Sequence, residues 1–409
     1  RWQQVETLLH QHLQGFGYAE IRTPVFETTE LFARGVGETT DIVNKEMYTF
    51  TKGDRSLTLR PENSASVVRA FVENGLHRRP KPVRLYYLGP MFRYERPQAG
   101  RQRQFHQCGI EMLGLDTPAS DVEVLWVGWT LFQALGVPNL TLKINNIGSG
   151  ACRDRFKDGF RQLIDPYLAN LCPDCQTRYH TNPLRMLDCK VPEDAAIYRQ
   201  PDVTAYLEQD FTTPEFQAHF AQVTQTLTQL GVPLQRDVRL VRGLDYYTGV
   251  VFELVSGQLG AQNTVCGGGR YNNLIESLGG PPTPATGWAL GMERLMQLVP
   301  AAPAPQLDVY VVTDQPATAF QAAKALQAHG LKVQVDVSGR GFGKQLGAAS
   351  QAQARWALIL GEAEVASGQV AVKNLATNTQ TQQPLDALLA GQLTPVFQDQ
   401  PTDQAVACP

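Results

Sequence analysis

The densest run of chemistry-bearing side chains lies between Met91 and Glu111. It reads Met91-Phe92-Arg93-Tyr94-Glu95, then an Arg-rich stretch through Arg103, then Gln104-Phe105-His106-Gln107-Cys108-Gly109-Ile110-Glu111. If the last part is a strand, its period of two puts Phe105, Gln107, Gly109 and Glu111 on one face. Gln107 and Glu111 then stand roughly 13 Å apart, with a glycine between them leaving room for a ligand. Phe105 at the near end could stack on a flat base. The plainer reading is a polar solvent face with one glycine bulge. The intervening loop carries Arg96, Gln98, Arg101 and Arg103. Guanidinium groups suit bidentate phosphate contacts, although a solvated hairpin tip would look similar.

A second cluster, Val241-Arg242-Gly243-Leu244-Asp245-Tyr246-Tyr247-Thr248-Gly249, sets two adjacent phenols, an Arg and an Asp between glycines. Such a set exceeds what a structural hairpin needs, and the glycines permit tight turns or close backbone packing. A third, Cys266-Gly267-Gly268-Gly269-Arg270-Tyr271, allows close approach of a ligand or a crossing strand. A fourth, Gly291-Met292-Glu293-Arg294-Leu295, places Arg294 early in a helix, where it would face an anion beside the terminal amides. No Gly-x-x-x-x-Gly-Lys-Ser/Thr phosphate loop, His-Glu-x-x-His or Gly-x-Ser-x-Gly occurs. Cys172-x-x-Cys175 with His180 and Cys189 has the composition of a zinc site. The expected second pair of ligands is missing, so these are read as ordinary thiols and no metal is expected.

The elements that must position these groups follow from the patterning. Trp2, Val5, Leu8, Leu9 and Leu13 recur at helical spacing and the run ends at Gly15 and Gly17. Glu20–Glu27 reads as a strand, and Pro24, lacking an N–H, puts it at a sheet edge or subunit boundary. From Pro82 to Leu113 the pattern is strand, turn, strand, polar loop, strand, which suits an antiparallel sheet. Residues 152–235, rich in Gln, Asp and Pro, read as an inserted helical module, with helices around 155–170 and 215–230. Strands over 249–255 and 287–291 lead to a helix near 292–299. The Pro/Ala run 301–306 is a linker. Beyond it, strands at 307–313, 331–337 and 357–360 alternate with helices at 317–329 and 343–352, implying a small, mostly parallel α/β domain. The last residues, 396–409, form a loose polar tail.

Composition narrows the class. The 409 residues carry 36 Lys plus Arg against 39 Asp plus Glu, which argues against a generally basic nucleic-acid coat but leaves room for a local basic groove. No apolar run approaches a membrane span. The seven cysteines are scattered, and with no secretory leader they read as reduced thiols in a cytoplasmic protein. The chain opens on Arg1 rather than Met, so a trimmed start is expected.

Taken in order, these segments resemble a class II histidyl-tRNA synthetase over nearly the full length. Arg242–Gly249 matches that family's histidine-binding signature. Gly17–Pro24 is similar to the class II dimer-interface motif, Phe92–Glu95 with its loop to the second class motif, and Gly291–Leu295 to the third. The resemblance implies an α+β fold: a catalytic domain over 1–300 on an antiparallel sheet, with 152–235 as its helical insertion, and an α/β anticodon-binding domain over 307–395. It also explains the missing phosphate loop, because this class binds ATP on the sheet.

The resemblance further implies roles. Arg93 would hold the ATP α-phosphate and the histidine carboxylate, with Arg242 on the opposite side of the same phosphate. Arg101 and Arg294 would grip the outer phosphates, with Mg2+ accompanying ATP, and Phe105 would stack on adenine. Glu62, Ser64 and Gln107 would take the ammonium, while Glu111 and Tyr247, with Tyr246 nearby, would bracket the imidazole. Arg96, Gln98 and Arg103 would touch the acceptor end of tRNA-His. The expected product is histidyl-tRNA, made through histidyl-adenylate and pyrophosphate by a homodimer. The sequence departs from the family pattern at Ser64, where Thr is usual, and at Tyr271-Asn272-Asn273, where Tyr-Asp-Gly is common. The family's short segment before Trp2 is absent from the sequence. The rival reading is a regulatory paralogue that binds histidine and activates ATP phosphoribosyltransferase without charging tRNA.

Overall fold

In a computed structural model, residues 1–409 are described except for 39, 210, 260–262, 301–306, 393–396 and 398–409. The chain divides into two compact units, Trp2–Pro300 and a C-terminal unit from 301 onward. The linker 301–306 lies outside the described residues.

The first unit is built on an eight-stranded sheet. Its strands run, edge to edge, Ala19–Glu20, Val83–Phe92, Gln104–Leu113, Ala285–Gly291, Thr264–Arg270, Thr248–Ser256, Leu140–Asn146 and Leu234–Arg236. The six central strands pair antiparallel, and the two short end strands pair parallel. Alternation divides the sheet into two faces. One presents Tyr86, Cys108, Ile110, Phe252 and Trp288 to a large core that includes Val5, Leu9 and Leu13 of the Trp2–Gly15 helix. That core also takes Val124 and Phe132 of the Pro118–Ala134 helix, and Val223 and Leu227 of the Pro214–Gln229 helix. The opposite face presents Leu85, Tyr87 and Val251 to the Ser64–Glu73 helix through Val67, Val68 and Phe71. The polar clusters found in the sequence collect on this second face.

Arg270 anchors the first face. It is 2% exposed, and its guanidinium meets Asp121 and Asp116 at 3.0 Å each and the Ser120 hydroxyl at 2.8 Å. The arginine after the glycine run is therefore a structural clamp on the Pro118–Ala134 helix.

Several boundaries differ from the sequence reading. Val83–Phe92 is one continuous ten-residue strand, with no turn inside it, because Pro90 pairs in register with His106 and breaks nothing. Residues 20–27 do not form one strand: Ala19–Glu20 edges the large sheet, whereas Phe26–Thr28 joins a separate three-stranded sheet with Thr49–Lys52 and Arg55–Leu59. The module expected over 152–235 is shorter, since Leu234–Arg236 belongs to the large sheet and Pro214–Gln229 packs into its core. The part with a core of its own, from Phe156 to Leu207, includes Phe160, Cys175, Met186 and Tyr198.

In the C-terminal unit, Val309–Thr313 pairs parallel with Val333–Val335 and Trp356–Leu360. Gln369–Asn374 and Gln380–Pro384 then extend the sheet antiparallel, so it is half parallel rather than mostly so. Of the expected loose tail, only Phe397 is described, and its buried ring packs on Trp356. The remainder lies outside the described residues.

Candidate functional site

The register of the sheet makes a floor of small residues. Gln107 lies between Gly89 and Gly291, Gly109 between Tyr87 and Ala289, and Glu111 between Leu85 and Gly287. One strand further, Gly267 pairs with Ala289 on one side and Glu253 on the other. Without side chains on these positions the sheet is open enough for a flat ligand and for long side chains to lie across it. A Cβ on Gly287 would collide with the Glu111 carboxyl, and one on Gly267 with the Arg242 guanidinium. Gly267 and Gly287 thus leave the room that these two side chains fill.

Glu111 is the buried carboxyl at one end. It is 1% exposed and accepts hydrogen bonds from the Ser64 hydroxyl at 2.6 Å and from the Tyr271 hydroxyl. Burial pushes its carboxyl up to about 8, against the opposing pull of those two hydroxyl donors. Tyr246 packs against both Tyr247 and Tyr271, with ring centroids at 4.7 and 5.5 Å. Burial raises the phenol pKa of all three tyrosines, which keeps them neutral donors.

Glu62 sits at the start of the Ser64–Glu73 helix, where its carboxylate accepts from the amides of Ser64 at 2.7 Å and Ala65 at 3.0 Å. Burial raises its pKa, and these amides with the charge of Arg93 oppose the rise. Arg93 is aimed by a hydrogen bond from its Nε to the Pro61 carbonyl at 2.8 Å, and its guanidinium lies 5.3 Å from the Phe105 ring centroid.

The cations form a connected path. Arg93 lies 3.7 Å from Glu95, and Glu95 lies 3.1 Å from Arg101. Burial, and then the like charge of Arg101, pull the Arg294 pKa below its ordinary value. Arg294 donates to the Thr264 carbonyl at 2.7 Å, and the Thr264 hydroxyl donates to Glu253 at 2.7 Å. Glu253 in turn pairs with Arg242. Burial disfavours the Arg242 charge, but the Glu253 carboxylate, together with Tyr247, Cys266 and Tyr246, raises the pKa. Arg93, Arg242 and Arg294, drawn from three distant segments, are therefore joined by one chain of contacts.

Two buried polar atoms there have no partner: the Gln107 amide oxygen and the Arg242 Nε. One is an acceptor and the other a donor; Gln107 is on the Gln104–Leu113 strand, the Arg242 guanidinium lies over Gly267 of the Thr264–Arg270 strand, and one strand runs between those two. Buried polar atoms are ordinarily paired, so this combination marks a place where a ligand completes the bonding.

Three residues from the sequence reading stand apart. Arg96, Gln98 and Arg103 are exposed on the hairpin tip, where the backbones of Gln98 and Arg101 bridge and Arg103 lies 4.4 Å from the Tyr94 ring centroid. Others were not foreseen. Tyr271 holds Glu111, and Glu253 holds Arg242. The insertion braces the 242–247 loop: Arg153 donates to the Tyr247 carbonyl, Asn182 to the Asp245 carboxylate and Arg185 to the Gly243 carbonyl, each at 2.7 Å. Nothing in their spacing signals these long-range contacts. The three cysteines read as ordinary thiols lie together with Asp194, while His180 is exposed and outside that group.

Comparison with known proteins gives concordant matches. A family model described as histidyl-tRNA synthetase matches residues 1–149 and 195–295, and one described as an anticodon binding domain matches 306–391. The chain is 49% identical over 397 residues to the histidine–tRNA ligase of Thermosynechococcus vestitus, covering 95% of this chain and 92% of the relative. It is 46% identical over 394 residues to that of Desulfitobacterium hafniense, covering 94% and 92%. A crystal structure of apo S. aureus histidyl-tRNA synthetase superposes with a TM-score of 0.77 at 36% identity, covering 95% of this chain and 94% of that one. A Bacillus halodurans structure, described as an ATP phosphoribosyltransferase regulatory subunit/histidyl-tRNA synthetase, shares the fold at 20% identity and a TM-score of 0.63, covering 88% and 94%.

Proposed function

The chain belongs to the histidyl-tRNA synthetase family, and on that footing we propose how its residues carry out histidine–tRNA ligation. The observation that carries this reading is the unpaired pair, the Gln107 amide oxygen and the Arg242 Nε, flanking a glycine floor that ends at Glu111. An α-amino acid supplies both missing partners, its ammonium to Gln107 and its carboxylate to Arg242, while its side chain reaches Glu111. Glu62 and Ser64 support the ammonium end, and Tyr246 and Tyr247 close over the ring. A site that hydrogen-bonds both ends of an imidazole rejects amino acids that leave those groups unpaired.

MgATP is the second substrate. Phe105 takes the adenine on the ring face away from Arg93, and Arg101 and Arg294 hold the outer phosphates with Mg2+. A histidine carboxylate oxygen attacks the α-phosphorus, the bond to the bridging oxygen breaks, and pyrophosphate leaves. Positioning and charge neutralisation dominate such a step, and Arg93 and Arg242 supply both from opposite sides. A hydroxyl of the 3′-terminal adenosine of tRNA-His then attacks the adenylate carbonyl and AMP departs. The exposed Arg96, Gln98 and Arg103 lie on the loop suited to that acceptor end, and the C-terminal unit recognises the anticodon.

The homodimer expected from the family is supported by exposed Val25, Phe26 and Phe50 on or beside the small three-stranded sheet, an apolar area a second copy would cover. Among the described residues no helix is long and apolar enough to cross a membrane, and a cytoplasmic location remains the family expectation.

The test is histidine-dependent exchange of pyrophosphate into ATP, followed by charging of tRNA-His. Arg242→Ala is expected to abolish exchange nearly completely while histidine binding stays measurable by calorimetry. Unchanged exchange removes Arg242 from the chemistry. Histidine binding by the wild type without any exchange would favour the regulatory paralogue instead.

A further inference from the structure

We propose that Cys172, Cys175, Cys189 and Asp194 form a tetrahedral zinc site that fastens the insertion and, through it, the loop carrying Arg242. One ligand atom from each of the four residues lies within 4.8 Å of all the others. The Sγ atoms of Cys172 and Cys189 are 3.9 Å apart, and the Cys189 Sγ is 3.5 Å from the Asp194 carboxylate. A tetrahedron with Zn–S near 2.3 Å and Zn–O near 2.1 Å has S···S edges of about 3.8 Å and S···O edges of about 3.6 Å. These two separations fit a metal-centred arrangement, while 3.9 Å is far beyond a disulfide bond.

Charge points the same way. Asp194 is 1% exposed, its contacts are the cysteines and the Cys172 amide, and among the described residues no Lys or Arg pairs with it. A buried carboxylate without a cation is costly, and a divalent ion bound by three thiolates and this carboxylate supplies the missing positive charge. Thiolates select zinc over the hard cations magnesium and calcium. The cluster also has the outer hydrogen bonds that orient metal ligands. The Val191 amide donates to the Cys189 Sγ at 3.4 Å, and the Cys172 amide reaches both Asp194 oxygens at 3.2 Å.

Cys172 caps the Pro173–Thr181 helix and Cys175 lies in its first turn. From that helix and the segment after it, Asp174 pairs with Lys45 at 2.9 Å and Arg178 with Asp41 at 2.7 Å. Asn182 and Arg185 hold the 243–245 backbone and the Asp245 side chain. Fixing the helix start therefore fixes the bracket on which the Arg242 loop rests.

The test is the metal content of the reduced full-length chain, purified from zinc-supplemented cells without chelator. Close to one zinc per chain is expected by plasma mass spectrometry. Exchange with cobalt should give a thiolate-to-cobalt charge-transfer band and the intense visible bands of tetrahedral geometry. Asp194→Ala should weaken zinc affinity more than about 100-fold, since even outer hydrogen-bond partners are worth 10–100-fold. Asp194→Cys should retain the metal and give the cobalt spectrum of four sulfurs. Stripping the metal from the wild type should speed hydrogen exchange over residues 240–247, a readout independent of ligase activity. A reduced, folded wild type holding no zinc and giving no cobalt–thiolate band overturns the proposal. So does zinc retained by the Cys172→Ser/Cys189→Ser variant, or a Cys172–Cys189 disulfide in the alkylated peptide map.

Discussion

Replacing Tyr271 with Phe isolates the role assigned to Glu111. The Tyr271 hydroxyl donates to the Glu111 carboxyl, and the Ser64 hydroxyl at 2.6 Å is the other side-chain donor. Phe keeps the ring that packs 5.5 Å from Tyr246, so the change removes one hydrogen bond and little packing. A hydrogen bond to a charged group contributes about 1.5–3 kcal/mol. The bond is already present without ligand, so only the part that strengthens when histidine binds counts; at 1.4 kcal/mol per decade the loss in histidine affinity is at most about 10- to 150-fold. Losing a donor to the carboxylate also moves the Glu111 pKa further above about 8. The assay is pyrophosphate exchange with histidine and ATP varied separately, backed by calorimetric histidine binding. The Michaelis constant for histidine should rise by up to that factor while the one for ATP changes less than about twofold. Ser64→Ala should behave alike. If Tyr271→Phe leaves histidine affinity intact, or weakens ATP equally, Glu111 is a structural carboxyl and the imidazole pocket lies elsewhere.

Gly267→Ala should reduce exchange nearly as far as removing Arg242, because the added methyl occupies the space of the guanidinium while the arginine itself remains; near-normal exchange with a normal melting curve would show that Arg242 has another productive position. Glu111 also makes a pH prediction. Its folded pKa of about 8 lies above the ordinary 4.5, so the ligand-free fold binds the extra proton between those values. The stability this proton contributes is complete below about 4.5 and is lost as pH rises through about 8. Glu111→Gln should flatten that part of the profile in urea titrations, and an unchanged profile refutes the raised pKa. Arg270→Ala should lower stability by about 3–5 kcal/mol, because it strands Asp121 in the core. Thermal and urea unfolding measure it, and a loss under 1 kcal/mol would mean that the side chain of His219, 2.6 Å from Asp121, suffices.

The sequence by itself singled out the residues for which a chemical role is proposed. Glu111 and Gln107 follow from the period of a strand, and Arg242, Tyr246 and Tyr247 from an unusual local mixture of types. These are local signals, readable because spacing along one element fixes direction. It also carried the alternation of helices and strands and the split near residue 300, since helical and strand periodicities and a Pro/Ala run are local to a sequence window; the α+β fold itself came from the family resemblance. Tertiary structure alone decided the rest. Gly287 makes space for Glu111 and Gly267 for Arg242 only because antiparallel pairing sets them side by side in register. Tyr271 reaches Glu111 across 160 residues, and the insertion's Asn182 and Arg185 brace the 243–245 loop from some 60 residues away. Asp194 completes the cysteine cluster although its spacing follows no ligand pattern. Such partners are chosen by where folded elements cross. Pairing of that kind leaves no period or motif in the chain, so it becomes visible only when the sheet and the insertion have packed.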